Sequence, residues 1–243
     1  FEGFSYPAFD QIASHLGRIR FRSRGHAELP VVVRMPNGAG IGAHEHHCDS
    51  PEAYFAHVPG VVVVVPSSPV DAKGLLAAAI RSDDPVIFLE PKVLYRSGRE
   101  DVPDAPYTLP IGRARIRRHG SDVTLVTYGG MVPVSLRASG MVAAEGIDVE
   151  VIDLRTIYPW DVGTVTESVR RTGRFLFVQE PQRTGGVGAE VVAEVAERCG
   201  YDLIAPPRRF TATDAPWPQF AVERNALLTD VMVASELRGL MEG

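Results

Sequence analysis

The sequence has few of the features that mark several large classes of protein. Two cysteines, Cys48 and Cys199, in 243 residues are too few for a disulfide framework and suit a reducing compartment. No apolar run approaches the ~20 residues that cross a bilayer, and the valines of Val61–Val65 make only a short block. There is no basic excess: 25 Lys and Arg stand against 30 Asp and Glu, for a net charge of −5, which disfavours a nucleic-acid surface. Low-complexity segments and internal repeats are absent, and a mean hydropathy near zero with 45% apolar residues excludes a disordered or collagenous chain. The first residue is Phe1 rather than Met, without the charged-then-apolar opening of a signal peptide. The chain therefore reads as a fragment or a processed product.

What is present is an alternation of short β-branched runs with helical periods. The spacing Phe9, Ile12, Leu16, Ile19 predicts one helical face. Leu29–Arg34 predicts a strand that opens into a loop from Met35 to Asp49, followed by an N-cap at Ser50-Pro51-Glu52. Val61–Val65 reads as a buried strand, Ser68 as the cap of a helix reaching about Arg81, and Val86–Leu89 as another strand. Further strands are expected at Val123–Tyr128, Val149–Asp153 and Arg174–Gln179. Helices are expected at Val132–Glu145, Val162–Arg171, Val187–Cys199 and, beyond the Pro-rich stretch Ala205–Pro218, at Val222–Leu240. The fold class is α/β, with two parallel-sheet domains over 1–96 and 113–243 joined by a Pro-containing linker over 97–112.

The densest chemistry lies in His44-Glu45-His46-His47-Cys48-Asp49. An imidazole titrates near neutral pH and suits proton transfer, and Gly38, Gly40 and Gly42 let backbone approach a ligand. The bland reading is that one or two of these histidines cap the next helix. Zinc is a competing reading, weakened because neighbours in one loop seldom converge on a tetrahedral ion. A Cys48 thiolate beside His47 is weaker still, since sequence neighbours are poorly aimed at each other. The run Thr184-Gly185-Gly186-Val187-Gly188 after a strand is either a phosphate-binding turn or a structural one, and its spacing departs from G-x-G-x-x-G. Asp153 and Arg155 could bind a ligand or form an ion pair at the strand end.

Taken in order, several phrases acquire a joint meaning: F-x-Y-P-A-F-D-Q-I, G-x-G-A-H-E-H-H-C-D-S-P-E-A-Y-F-A-H-x-P-G, P-S-S-P-x-D-A-K-G-L-L, D-D-P-V-I-F-L-E-P-K-x-L-Y-R and D-L-R-T-I-x-P-W-D. Across essentially the whole chain the sequence resembles the beta subunit of a thiamine-diphosphate-dependent 2-oxo acid dehydrogenase, of the pyruvate or branched-chain type. The resemblance implies a partial pyrimidine-binding domain followed by a transketolase C-terminal-like domain. It implies thiamine diphosphate shared between chains, with the alpha subunit holding the diphosphate and its magnesium. Such enzymes decarboxylate a 2-oxo acid and pass the acyl group to a lipoyl arm. By the same likeness His47 assists proton transfer in that acylation, with His46 the next candidate. Phe4 packs on the aminopyrimidine, with Tyr6 the neighbour that could be mistaken for it. Carbonyls of Val31, Ala79, Ser82 and Asp84 match positions that bind potassium in some members.

The implied partners are the alpha subunit, in an alpha-two beta-two heterotetramer, and a dihydrolipoyl acyltransferase core. The implied setting is a bacterial cytoplasm or a mitochondrial matrix. The family's catalytic glutamate precedes the F-x-Y-P phrase, so the chain reads as N-terminally truncated and is expected to be inactive alone. The H-H-C-D-S-P-E-A-Y-F-A-H phrase is closer to branched-chain members than to pyruvate ones. The alternatives are a non-catalytic assembly subunit, with Glu190, Glu194 and Glu197 as an acidic helix face, and a metal-dependent hydrolase built on the histidine loop.

Overall fold

The computed structural model describes residues 1–242 and contains two sheets. In the N-terminal half, a 3₁₀ turn at Glu2–Ala8 and a wide helical turn at Gln11–Leu16 run into helix α1, Gly17–Arg22. Strand β1, Val32–Asn37, helix α2, Glu52–Ala56, strand β2, Val62–Val64, helix α3, Pro69–Ile80, and strand β3, Val86–Pro91, follow. In the C-terminal half come β4, Arg115–Arg118, β5, Val123–Thr127, α4, Met131–Ala143, β6, Val149–Asp153, and β7, Thr156–Tyr158. The chain ends with α5, Val162–Thr172, β8, Phe175–Gln182, α6, Val187–Cys199, β9, Arg208–Ala212, and α7, Asp230–Met241.

The first sheet has the order β1-β3-β2-β7 and the second β4-β6-β5-β8-β9. Every residue of β5 and β6 is buried, as expected of parallel strands covered by helices on both faces. The expected parallel character holds except at two edges. β4 pairs antiparallel with β6, and β7 pairs antiparallel with β2 through Val63↔Tyr158 and Val64↔Thr156. β7 comes from the C-terminal half, so the first sheet is completed by the second. The core follows suit: one apolar cluster joins Phe55, Val63 and Ile87 to Ile152, Phe177 and Val191.

Several sequence expectations need correction. The first strand starts at Val32 rather than Leu29 and runs through Pro36; β1 pairs only with β3, and an edge strand tolerates proline. Ser50 does not cap α2; its hydroxyl donates to Glu180 at 3.1 Å. The expected final helix is divided into a 3₁₀ turn at Phe220–Asn225 and α7, whose cap Thr229 accepts the Met232 N–H at 3.3 Å. The Pro-rich stretch contains β9. The segment expected as a linker, 97–112, forms no helix or strand and lies along α3, where the Tyr107 hydroxyl donates to the Val70 carbonyl at 2.8 Å and the Leu109 N–H to that of Gly74 at 3.1 Å.

Candidate functional site

The site forms where β1 ends, at the carboxyl edge of its parallel sheet, the usual place for ligands in such folds. Beyond Asn37 the chain turns through Gly38, Gly40 and Gly42, with φ of +84°, +87° and +68°. A side chain at Gly38 would stand 2.6 Å from the Glu180 carboxylate, and one at Gly42 would stand 2.8 Å from the Phe220 ring. The loop closes when the Gly38 N–H donates to the Asp49 carbonyl at 3.0 Å. Within it Glu45–His47 form a single 3₁₀ turn.

That turn gathers the predicted residues. The rings of His46 and His47 lie 4.2 Å apart between centroids, and Phe4 meets them edge-on at 5.7 and 5.5 Å. Phe1 meets His47 at 4.5 Å. The Phe4 ring is 61% exposed, leaving a flat apolar face open beside two imidazoles. Tyr6 sits at the edge of the same group, its hydroxyl donating to Asp49 at 3.1 Å, and burial raises its pKa. Desolvation, then the charge that His46, His44 and Lys92 can carry nearby, hold His47 below the ordinary imidazole range. His47 is therefore neutral at pH 7 and able to accept a proton. Its Nδ1 is buried without a partner.

Cys48 leaves the histidines and turns inward. It is fully buried, 3.4 Å from the His44 carbonyl and 3.7 Å from Glu223, and burial pushes its pKa up to about 11. It is a thiol at neutral pH, which removes the nucleophile reading. With Cys48 facing away from the imidazoles the zinc reading loses its sulfur donor. No group of three His, Cys, Asp or Glu side chains is arranged for a metal among the described residues.

Other residues of the site were not anticipated. Lys92 is buried, hydrogen-bonds the His47 carbonyl through Nζ, and stands 3.5 Å from Glu2 and 4.7 Å from the Phe1 ring centroid. Glu2 is fully buried, and burial lifts its pKa to about 7. Beneath the loop Glu52, fully buried, accepts from Asn37 Nδ2 at 3.4 Å, while its other oxygen and the Tyr128 hydroxyl lack partners. Burial, with Glu180 and Glu2 nearby, moves Glu52 up to about 8. A lysine or glutamate closing an apolar strand, as in F-L-E-P-K and F-V-Q-E, was the available signal.

The Glu52 shift has a measurable consequence. The folded chain keeps this proton up to about pH 8, whereas an unfolded glutamate releases it near pH 4.3. The folded state then binds more protons between these values, and its stability falls as pH rises through the window. Glu52→Gln removes one proton's share of that slope, about 1.4 kcal/mol per pH unit. Denaturant midpoints from pH 5 to 8 should fall more steeply for wild type than for the variant; parallel curves would show that Glu52 ionises normally.

The remaining predicted positions lie away from the imidazoles and have partners within the protein. The Gly-rich turn before α6 is filled by Gln179, whose Oε1 accepts the Gly188 N–H at 2.8 Å, and a Cβ on Gly188 would lie 2.5 Å from Phe177. This is a packing turn, with its helix end occupied by protein. Asp153 and Arg155 join an ion-pair lock rather than line a pocket: Arg155 meets Asp71 at 3.2 Å, and Arg117 lies 3.6 Å from Asp71 and 3.7 Å from Asp153. Val31, Ala79, Ser82 and Asp84 come together where α3 turns into β3. There the Val31 carbonyl accepts the Val86 N–H at 2.9 Å, that of Ala79 accepts the Ser82 N–H at 3.1 Å, and the Asp84 carboxylate pairs with Arg20 at 2.9 Å. Glu194 of the expected acidic face pairs with Arg198.

Two clefts flank these groups. A 610 Å³ cleft on the α3 side is lined by Arg34, Ser68, Lys73, Tyr95 and Arg117 and does not include His47. A 240 Å³ cleft is lined by Tyr6, Asp49, Tyr54 and Gly185. Neither cleft is lined by Phe4, His46 or His47; the smaller one shares Tyr6 and Asp49 with the residues around them.

Comparison with known proteins is decisive here. Residues 1–98 match the family "Transketolase, pyrimidine binding domain" and residues 112–233 match "Transketolase, C-terminal domain". The chain is 49% identical over 218 residues to the "Pyruvate dehydrogenase E1 component subunit beta" of Staphylococcus epidermidis, covering 90% of this chain and 67% of the relative. The same figures hold for the protein of that name in Staphylococcus aureus strain N315. The chain belongs to the beta subunits of the thiamine-diphosphate-dependent 2-oxo acid dehydrogenases. A solved structure described as "Split gene transketolase, inactive beta4 tetramer" superposes with a TM-score of 0.78 at 24% identity, over all of this chain and 74% of that one. That likeness concerns the fold. Among the described residues no helix is long and apolar enough to cross a membrane.

Proposed function

We propose that this beta subunit supplies the aminopyrimidine side of an active site that an alpha subunit completes. The observation that carries the reading is the open Phe4 face beside His46 and His47 at the carboxyl edge of the first sheet. A flat apolar ring suits stacking against an aminopyrimidine. When bound, thiamine diphosphate supplies the electron sink for decarboxylation, with magnesium held by the alpha chain. Tyr6 borders the site, fixed by Asp49. His47, neutral and anchored through its carbonyl by Lys92, takes or gives the proton that accompanies acylation of the lipoyl group, and His46 stands beside it. A potassium ion at the α3–β3 turn would use the second lone pairs of the Val31 and Ala79 carbonyls, with Ser82 and Asp84.

The proposed assembly is an alpha-two beta-two heterotetramer serving a dihydrolipoyl acyltransferase core, and the proposed substrate is a branched-chain 2-oxo acid. The H-H-C-D-S-P-E-A-Y-F-A-H phrase favours that substrate, while the names of the staphylococcal relatives favour pyruvate. The two differ by only a few carbons, a difference that a pocket converts into roughly 10–200-fold per methylene. In the alpha–beta heteromer, kcat/KM for 3-methyl-2-oxobutanoate should exceed that for pyruvate by about tenfold or more. Preference for pyruvate would replace the branched-chain reading with the second one.

A further inference from the structure

The glycine-rich first half of the histidine loop is held largely by the other half of the chain. Glu180, at the end of β8, accepts the Ala39 N–H at 2.8 Å and the Ser50 hydroxyl at 3.1 Å. Glu223, buried in the 3₁₀ turn before α7, accepts the Gly40 N–H on one oxygen at 2.8 Å and the Gly42 N–H on the other at 2.7 Å. The Cys48 thiol also points at it, 3.7 Å away. Gln219, just outside, donates to Glu45 at 2.8 Å. The positive φ values at Gly38, Gly40 and Gly42 present successive N–H groups as an anion-binding concavity. The protein fills it with its own carboxylates, and such charge-assisted bonds are the strong ones.

We infer that Glu180 and Glu223 are positioning residues through which the C-terminal half sets the placement of His47. Resting on the function proposed above, this gives the C-terminal half a part in catalysis beyond assembly. Glu223 ties down Gly40, Gly42 and Cys48, the residue next to His47, while Lys92 holds the His47 carbonyl from the other side. Neither carboxylate contacts an imidazole; both act through the backbone that carries His47.

Glu223→Ala and Glu223→Gln, assembled with the alpha subunit, test the inference with two readouts. The first is kcat for acyl transfer to a lipoyl group, read separately from KM for the 2-oxo acid. The second is the labelling rate of Cys48 relative to Cys199, a buried thiol on α6 remote from the loop in sequence. Glu223→Ala should lower kcat by roughly 10–100-fold, the cost of a misplacement near 1 Å, with little change in KM. Cys48 should label faster while Cys199 stays protected. Glu223→Gln, which keeps one acceptor for the two N–H groups, should fall between the two. Should Glu223→Ala expose both thiols together, Glu223→Gln and Gln219→Ala carry the same readouts. Wild-type kcat in Glu223→Ala overturns the inference, as does a loss of activity with Cys48 still protected. Absence of acyl transfer in the wild-type heteromer would instead remove the function on which the inference rests, and the wild-type control separates the two.

Discussion

His47→Ala in the alpha–beta heteromer is expected to slow acyl transfer to a lipoyl group by about 10²–10⁴-fold, the range for losing a positioned acid–base group. Carbon dioxide release supported by an artificial electron acceptor should be much less affected, because the proton transfer proposed for His47 accompanies the acylation step. The expectation rests on three features of the ring. His47 is neutral at pH 7, because burial and the neighbouring positive groups disfavour its imidazolium. Aromatic edges from Phe1 and Phe4 confine it. Its backbone is clamped by Lys92. His46 is half-exposed, 3.5 Å from Glu45, and lacks the Phe1 contact and the Lys92 clamp, so His46→Ala should cost far less. Equal losses in the two variants, or none in His47→Ala, would remove the role assigned to His47.

The second large effect concerns stability. Arg155→Met should destabilise the chain by about 3–5 kcal/mol, as removing one member of a buried ion network does. For a protein of this size that corresponds to a fall in Tm of roughly 6–20 °C. Asp71 is fully buried at the start of α3 and receives Arg155 at 3.2 Å, with Arg115 and Arg117 each 3.6 Å away. Arg155 also donates to the Arg113 carbonyl at 3.0 and 2.7 Å from two nitrogens. Its own backbone has φ of +58°, the conformation that sends the chain from β6 in the second sheet to β7 in the first. The arginine thus fastens the two halves where the chain crosses between them. By contrast Arg137→Ala breaks only the exposed pair with Asp230, and should change stability by about 0–1 kcal/mol. A thermal scan of both variants distinguishes them; similar midpoints would mean that the Asp71 network contributes no more than a surface pair.

How much of this was legible in the sequence depended on whether the signal was local. β6 and α6 begin and end where the β-branched run and the Gly-flanked helical period place them. The α3 cap followed directly from Ser68 and Pro69. Three strands escaped because nothing local marks them. β4 reads Arg-Ile-Arg-Arg, β7 has three residues, and β9 lies among prolines. Each is an edge strand, defined by a partner distant in sequence. The site shows the same division. The histidines and Phe4 were legible as a cluster and a phrase, whereas Glu180 and Glu223 reach the loop across 141 and 183 residues. Glu180 at least closes an apolar strand, whereas Glu223 lies in a short turn that no local signal marks.

This beta subunit is proposed to contribute its imidazole and aromatic group to an active site completed by another chain. That contribution is tested most directly by measuring thiamine-diphosphate-dependent release of carbon dioxide from a 2-oxo acid, together with acyl-lipoyl formation, for the subunit, its alpha partner and the two combined. Both products should appear only with the two chains combined. Full turnover by either chain alone, or none from a folded, cofactor-loaded heteromer, would contradict the account.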